Sequence, residues 1–132
     1  MKYKKRVSKN IETRYEIASR YKEKFHDCPI ITPKILEDRK SSYHLYIIRI
    51  LEKDLRETRS NSFKYLLEKG IGVNLHYIPI YKHPFYKRFG FDNYELQNAE
   101  DYYRSAYSIP MYPSLNLEQQ NKVIDEIKSC LQ

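Results

Sequence analysis

From Arg6 to Phe25 apolar side chains recur at three- and four-residue steps, at Val7, Ile11, Ala18, Tyr21 and Phe25. That spacing places them on one face of a helix, and Pro29 and Pro33 end it. A short extended piece at Ile30 to Thr32 and a charged turn at Glu37 to Lys40 lead into Tyr43 to Leu51, a run rich in β-branched and aromatic residues that predicts a strand. Its two faces, Tyr43/Leu45/Ile47/Leu51 and His44/Tyr46/Ile48/Ile50, are both largely apolar. The strand is therefore expected inside a sheet with both sides at least partly covered, and His44 in the core. A helix over Arg59 to Lys69 should turn Phe63, Leu66 and Leu67 inward. Gly70 then takes the left-handed position that ends a helix, with Ile71 packing back on the last turn. Gly72 to Ile80 reads as a further strand, closed by Pro79.

The C-terminal third repeats the pattern. Asn98 with Asp101 three residues later resembles a capping box and predicts a helix bearing Ala99, Tyr102, Tyr103 and Ala106. A short strand follows at Tyr107 to Met111. Asn116 with Gln119 caps a last helix whose inner stripe is Val123, Ile124, Ile127 and Leu131. Three or four short strands with four helices predict an α+β fold: a two-layer sandwich in which a small, mainly antiparallel sheet packs against helices, forming one domain over residues 1–132.

Composition narrows the picture. Leu, Ile, Val and Phe make up about a quarter of the 132 residues, more than a disordered chain carries. The net charge of +7 is concentrated: nine basic residues face three acidic ones between Met1 and Lys24. Such a stripe could serve nucleic acid or another anionic polymer. No helix-turn-helix, zinc-finger or RNA-recognition signature accompanies it, so the reading favoured is a solvated helix face. Cys28 and Cys130 make neither a disulfide framework nor a metal cluster. No run approaches the length of a membrane span, and a cytoplasmic, reducing location is expected.

Candidate chemistry gathers between Gly70 and Tyr86, GIGVNLHYIPIYKHPFY. His76 and Tyr77 alternate along a predicted strand, so only one of them can be deeply buried. Tyr81, His83 and Tyr86 fall on a connection with no period to force them inward, and loops on a rigid scaffold are where binding groups concentrate. Against these, His76 could be a hydrogen-bonded structural histidine and Tyr77 a packed tyrosine. Asn98 reads as a cap and Arg49 as an ion-pair partner. Glu100 and Asp101 are adjacent on a helix, point in different directions, and make no catalytic carboxylate pair. No catalytic residue and no metal site emerges.

Four ordered motifs carry a family resemblance: SYHLYIIRI (Ser42 to Ile50), HYIPIYKHPFY (His76 to Tyr86), QNAEDYY (Gln97 to Tyr103) and SIPMYPSLNLEQQ (Ser108 to Gln120). Together they resemble the C-terminal small domain of the DegT/DnrJ/EryC1/StrS sugar aminotransferases, pyridoxal-phosphate enzymes that convert nucleotide-linked ketosugars to aminosugars with glutamate as donor. The resemblance implies the small-domain fold of fold-type I pyridoxal-phosphate transferases. It also implies a nucleotide-sugar substrate met by His76, Tyr77, Tyr81, His83 and Tyr86, with a large domain and a second subunit as partners. HYIPIYKHPFY looks most like the branch acting on a UDP-linked 4-keto-6-deoxy-hexosamine in pseudaminic-acid synthesis, although many relatives carry His where this chain has Tyr81.

The family's cofactor lysine and its pyridine-nitrogen aspartate belong to a large domain whose motifs this sequence lacks. Schiff-base chemistry needs a lysine held largely neutral, and a solvated lysine titrates near ~10.4. The lysines here, such as Lys2, Lys4, Lys5 and Lys69, sit in charged stretches. The chain alone is therefore expected to hold no pyridoxal phosphate and to be inactive. Self-association through surface left bare by the missing domain is also expected. The rival readings are a stand-alone basic module for an anionic polymer and a non-catalytic interaction remnant.

Overall fold

The computed structural model describes residues 2–51, 55–91 and 94–131. Helix α1 spans Lys2–Lys24, and the chain then forms β1 (Ile30–Ile31), β2 (Tyr46–Ile50) and α2 (Leu55–Glu68). A single 3₁₀ turn at Ile80–Lys82 and the short α3 (Pro84–Lys87) precede α4 (Gln97–Ser105), β3 (Ala106–Ile109) and α5 (Leu117–Cys130). The three strands are antiparallel in the order β1-β2-β3. Helices and one small sheet make the α+β sandwich that the hydrophobic pattern predicts.

Strand β2 lies in the middle, as its two apolar faces require. On one face Tyr46, Ile48 and Ile50 are at most 1% exposed and join a core with Tyr21 of α1, Phe25 just after it, Leu66 of α2, Tyr107 of β3, and Val123, Ile124 and Ile127 of α5. The other face, with Leu45, Ile47 and Leu51, is open to solvent or only half covered. His44 is exposed, against the expectation of a core histidine. The reason is local: Tyr43 has a left-handed backbone (φ 44), which no strand can continue. Pairing therefore starts at Tyr46 and leaves His44 outside the sheet.

The inward stripe of α1 is shorter than its periodicity suggests. Ile17, Ala18, Tyr21 and Phe25 are buried, but Val7 is 57% exposed. A helix of 23 residues is about 35 Å long at ~1.5 Å per residue. Its packing partner α5 has 14 residues, so the first turns of α1 extend past it. Gln120 donates to the Ile17 carbonyl at 2.8 Å where the two helices meet.

Helix α2 ends as predicted. Gly70 has φ 73; its N–H donates to the Leu67 carbonyl at 2.9 Å and the Ile71 N–H to the Leu66 carbonyl at 2.8 Å. These are the paired bonds of a Schellman cap, with Ile71 and Leu66 both in the core. Leu67, however, is 49% exposed, and the buried positions beside Leu66 are Arg59 and Ser62. The Asn116 box forms in full, with Gln119 N–H donating to Asn116 Oδ1 at 2.8 Å and Asn116 N–H to Gln119 Oε1 at 3.1 Å. The Asn98 box does not. Leu96 caps α4 without a side-chain bond, and Gln97 instead donates to Asp101 at 2.8 Å.

The predicted strand from Gly72 to Ile80 is reduced to one bridge, in which Asn74 and Ser108 exchange backbone hydrogen bonds of 3.2 and 2.8 Å. Beyond it the chain leaves the β3 edge. Pro79 has no N–H to give a ladder and opens the 3₁₀ turn.

Candidate functional site

The segment leaving the sheet carries the predicted site residues, and the structure sorts them into two groups. His76 and Tyr77 form the first. His76 is half-buried, and its Nε2 shares a 2.7 Å hydrogen bond with Ser108 Oγ on β3, while its buried Nδ1 has no partner. Tyr77 is 75% exposed, its ring edge-on to the imidazole at 5.0 Å. His76 is thus a positioned imidazole with one nitrogen free, and Tyr77 an aromatic standing in solvent.

Tyr81, His83 and Tyr86 form the second group, on the 3₁₀ turn and α3. His83 precedes Pro84 at the head of α3, and it and Tyr86 are exposed. Tyr81 is not. It is 7% exposed, which corrects the expectation that nothing on this connection would turn inward. What draws it in is Glu100, the fourth residue of α4. The Tyr81 hydroxyl donates to Glu100 Oε1 at 2.6 Å and accepts from the Leu96 N–H at 3.4 Å. Lys82 Nζ donates to Glu100 Oε2, and the Arg104 guanidinium lies 3.9 Å from the same oxygen. Glu100 itself is 1% exposed. Among the described residues, no hydrogen bond or ring contact joins His76 or Tyr77 to Tyr81, His83 or Tyr86.

Glu100 acts as a latch that fixes residues 79–83 against α4. Lys82, and after it the Tyr81 hydroxyl, hold its carboxyl below the ordinary range, while the same carboxylate raises the Tyr81 phenol. A carboxyl depressed in the folded state contributes stability that is complete above its unfolded value and lost as pH falls through the folded one. Amide exchange at Tyr81, Lys82 and His83 should therefore accelerate as pH drops below about 4, beyond the intrinsic pH dependence. Glu100→Gln should bring that loosening to neutral pH, measured by hydrogen-exchange mass spectrometry. Unchanged protection in the variant would remove the latch.

In the sequence Glu100 stands out only beside Asp101, and the two diverge as expected, Glu100 to Tyr81 and Asp101 to Gln97. The one signal for its real role was Arg104 at the i+4 position. Arg49 is not an ion-pair partner among the described residues; it donates to Ser105 Oγ at 3.0 Å and lies over the Tyr102 ring at 5.7 Å. Cys28 and Cys130 are free, and burial pushes the Cys130 thiol up to about 11, far from a nucleophile's range. No three metal-ligating side chains converge among the described residues. No described helix is long and apolar enough to cross a membrane.

A family model described as the DegT/DnrJ/EryC1/StrS aminotransferase family matches residues 4–128. The chain belongs to that family. It is 38% identical over 129 residues to the UDP-4-amino-4,6-dideoxy-N-acetyl-beta-L-altrosamine transaminase of Campylobacter jejuni, covering 97% of this chain and 34% of that one. Among solved structures it superposes on Helicobacter pylori PseC, an aminotransferase involved in pseudoaminic acid biosynthesis, with a TM-score of 0.83 and 29% identity over 92% of this chain and 33% of that one. A Streptococcus pneumoniae structure in its pyridoxal-phosphate form matches with a TM-score of 0.80 and 26% identity over 92% of this chain and 31% of that one. The chain thus spans about a third of the length of these relatives.

The residues present do not fit covalent attachment of pyridoxal phosphate. An internal Schiff base needs a desolvated, neutral amine, and no lysine among the described residues is buried. The side chains of Lys2 and Lys4 lie outside the described residues. Lys82, beside the candidate site, is held as an ion pair by Glu100.

Proposed function

We propose that this chain is the substrate-closing small domain of a pyridoxal-phosphate-dependent nucleotide-sugar aminotransferase, working with a cofactor-bearing large domain and a second subunit. The observation that carries the reading is the His76 to Tyr86 segment: a half-buried imidazole fixed by Ser108, an exposed Tyr77, and exposed His83 and Tyr86 on a turn pinned through Tyr81. Imidazole and phenol groups held on a rigid support can donate hydrogen bonds to sugar hydroxyls and phosphate oxygens. In this assignment His76, Tyr77, His83 and Tyr86 touch substrate. Tyr81, turned inward, serves the substrate side through the hold it gives its neighbours. Amino transfer itself would come from the cofactor on the large domain.

The likeness to the Campylobacter transaminase and to PseC favours a UDP-linked 4-keto-6-deoxy-hexosamine as the sugar, aminated at the expense of glutamate. The test is reconstitution. A separately produced large domain of the family, mixed with this chain, should bind it and restore transfer of the amino group from glutamate to the ketosugar. This chain with pyridoxal phosphate alone should give no borohydride-reducible visible absorbance. A pair that does not associate, or a chain that forms the chromophore unaided, would refute the assignment.

A further inference from the structure

One polar cleft lies beside the candidate site and shares Lys82, Glu100 and Arg104 with the Glu100 latch. It has a volume of about 270 Å³ and is lined by Arg59, Ile78, Lys82, Glu100, Tyr103 and Arg104. Three cations thus surround one carboxylate, and that carboxylate is already engaged by Lys82 and Tyr81. Among the described residues the lining carries two positive charges in excess.

Arg59 is the unusual member. It is 7% exposed, yet no carboxylate partner is seen among the described residues. Its Nη1 donates to the Tyr103 carbonyl at 2.9 Å, its guanidinium lies over the Tyr103 ring at 5.0 Å, and its Nε has no acceptor. Burying a guanidinium without an anion is expensive. Here part of that expense is met by a ring face and a carbonyl, which orient the group and leave its charge uncancelled. Arg104 and Lys82, both about 40% exposed, reach the same cleft from the solvent side.

From this placement we infer that the cleft is a binding site for a phosphoryl group. A tetrahedral oxyanion offers enough acceptors for an oriented guanidinium, a mobile guanidinium and an ammonium together, and carries the charge that offsets the excess. The inference deepens the proposed function and rests on it for the nucleotide-linked molecule that would present the phosphoryl group. Ile78 lines the cleft next to Tyr77, and Lys82 lines it next to His83. A phosphoryl group bound there would lie beside side chains available for a sugar.

Pyrophosphate tests the cleft with this chain alone, apart from any reconstitution. Titration into the isotopically labelled chain should be saturable, with the largest shifts at the Arg59 and Arg104 side-chain N–H groups and at the Lys82 backbone. Arg104→Gln should weaken binding roughly tenfold, the loss of one charge-assisted hydrogen bond. Lys122→Gln, on α5 and outside the cleft, should leave binding unchanged. Shifts spread along the basic face of α1, no saturation, or equal weakening by both variants would overturn the inference. The labelled wild-type chain answers the question even where a variant fails to fold.

Discussion

Ile48→Ala should lower the stability of this domain by about 2–5 kcal/mol, whereas Ile47→Ala, one residue away, should change it by less than about 1 kcal/mol. The two side chains are both isoleucine and differ only in position. Ile48 is 0% exposed at the centre of the middle strand, and its neighbour across the β2-β3 ladder is Tyr107, itself fully buried. Truncation there leaves a void bounded by both sheet and helices. Ile47 points to the opposite face, where it lines a shallow depression with Ile31, Leu45 and Tyr102. Small domains are stable by only about 5–15 kcal/mol in total, so the first substitution removes a large share. In urea it should appear as a midpoint lower by about 1–2 M with the slope unchanged. Equal losses at the two positions would mean that both faces of β2 are packed alike, and a larger loss at Ile47 that the faces have been assigned the wrong way round.

The features that could be read in the sequence share one property: each is fixed by residues close together in the chain. The Schellman cap needs only Leu66 to Ile71, the α5 capping box only Asn116 and Gln119, and the central strand only its own two apolar faces. The expectations that failed did so either because a neighbouring residue changed the local backbone, as at the Asn98 box and His44, or because a partner from elsewhere was present or absent. Asn98 and Asp101 carry capping-box spacing, yet the helix begins two residues earlier, capped by Leu96 and with Gln97 holding Asp101. Leu67 and Val7 fit the helical period, but no partner element reaches them. Gly72 to Ile80 has the composition of a strand, but only Asn74 finds an edge to pair with.

The candidate site divides the same way. Exposure of His83 and Tyr86 follows from the local pattern, since nothing nearby buries them; Tyr77, read as a packed strand tyrosine, is instead 75% exposed because the chain has left the β3 edge before reaching it. Tyr81 goes inward because Glu100, 19 residues further along, accepts its proton in a hydrogen bond. The Arg59 cleft is still less visible, for it joins α2, the 3₁₀ turn and α4 across 45 residues of sequence, from Arg59 to Arg104. Periodicity marks which face of an element is apolar. It does not mark which polar residue on that face will find a partner from elsewhere.

The uncovered face of β2 yields the second large effect. Leu45, Leu51 and Ile31 are 40%, 57% and 40% exposed on a sheet whose other face is fully packed, and a contiguous apolar surface of this kind is normally an interface. The chain alone should therefore self-associate through it, and a large domain of the family should compete for the same surface. Ile47→Lys tests both statements at once. It places a charge at the centre of the patch beside Arg49, and it forgoes the ~1.5–3 kcal/mol gained by burying an isoleucine. Association measured by sedimentation velocity should fall at least about tenfold, and docking of the large domain should fall with it. Because Ile47 lies outside the core, the urea midpoint of the variant should move by less than that of Ile48→Ala. An Ile47→Lys chain that still self-associates and still docks would place the interface elsewhere, with the exposed Phe85 of α3 and Phe89 just after it as the surface to examine in its place.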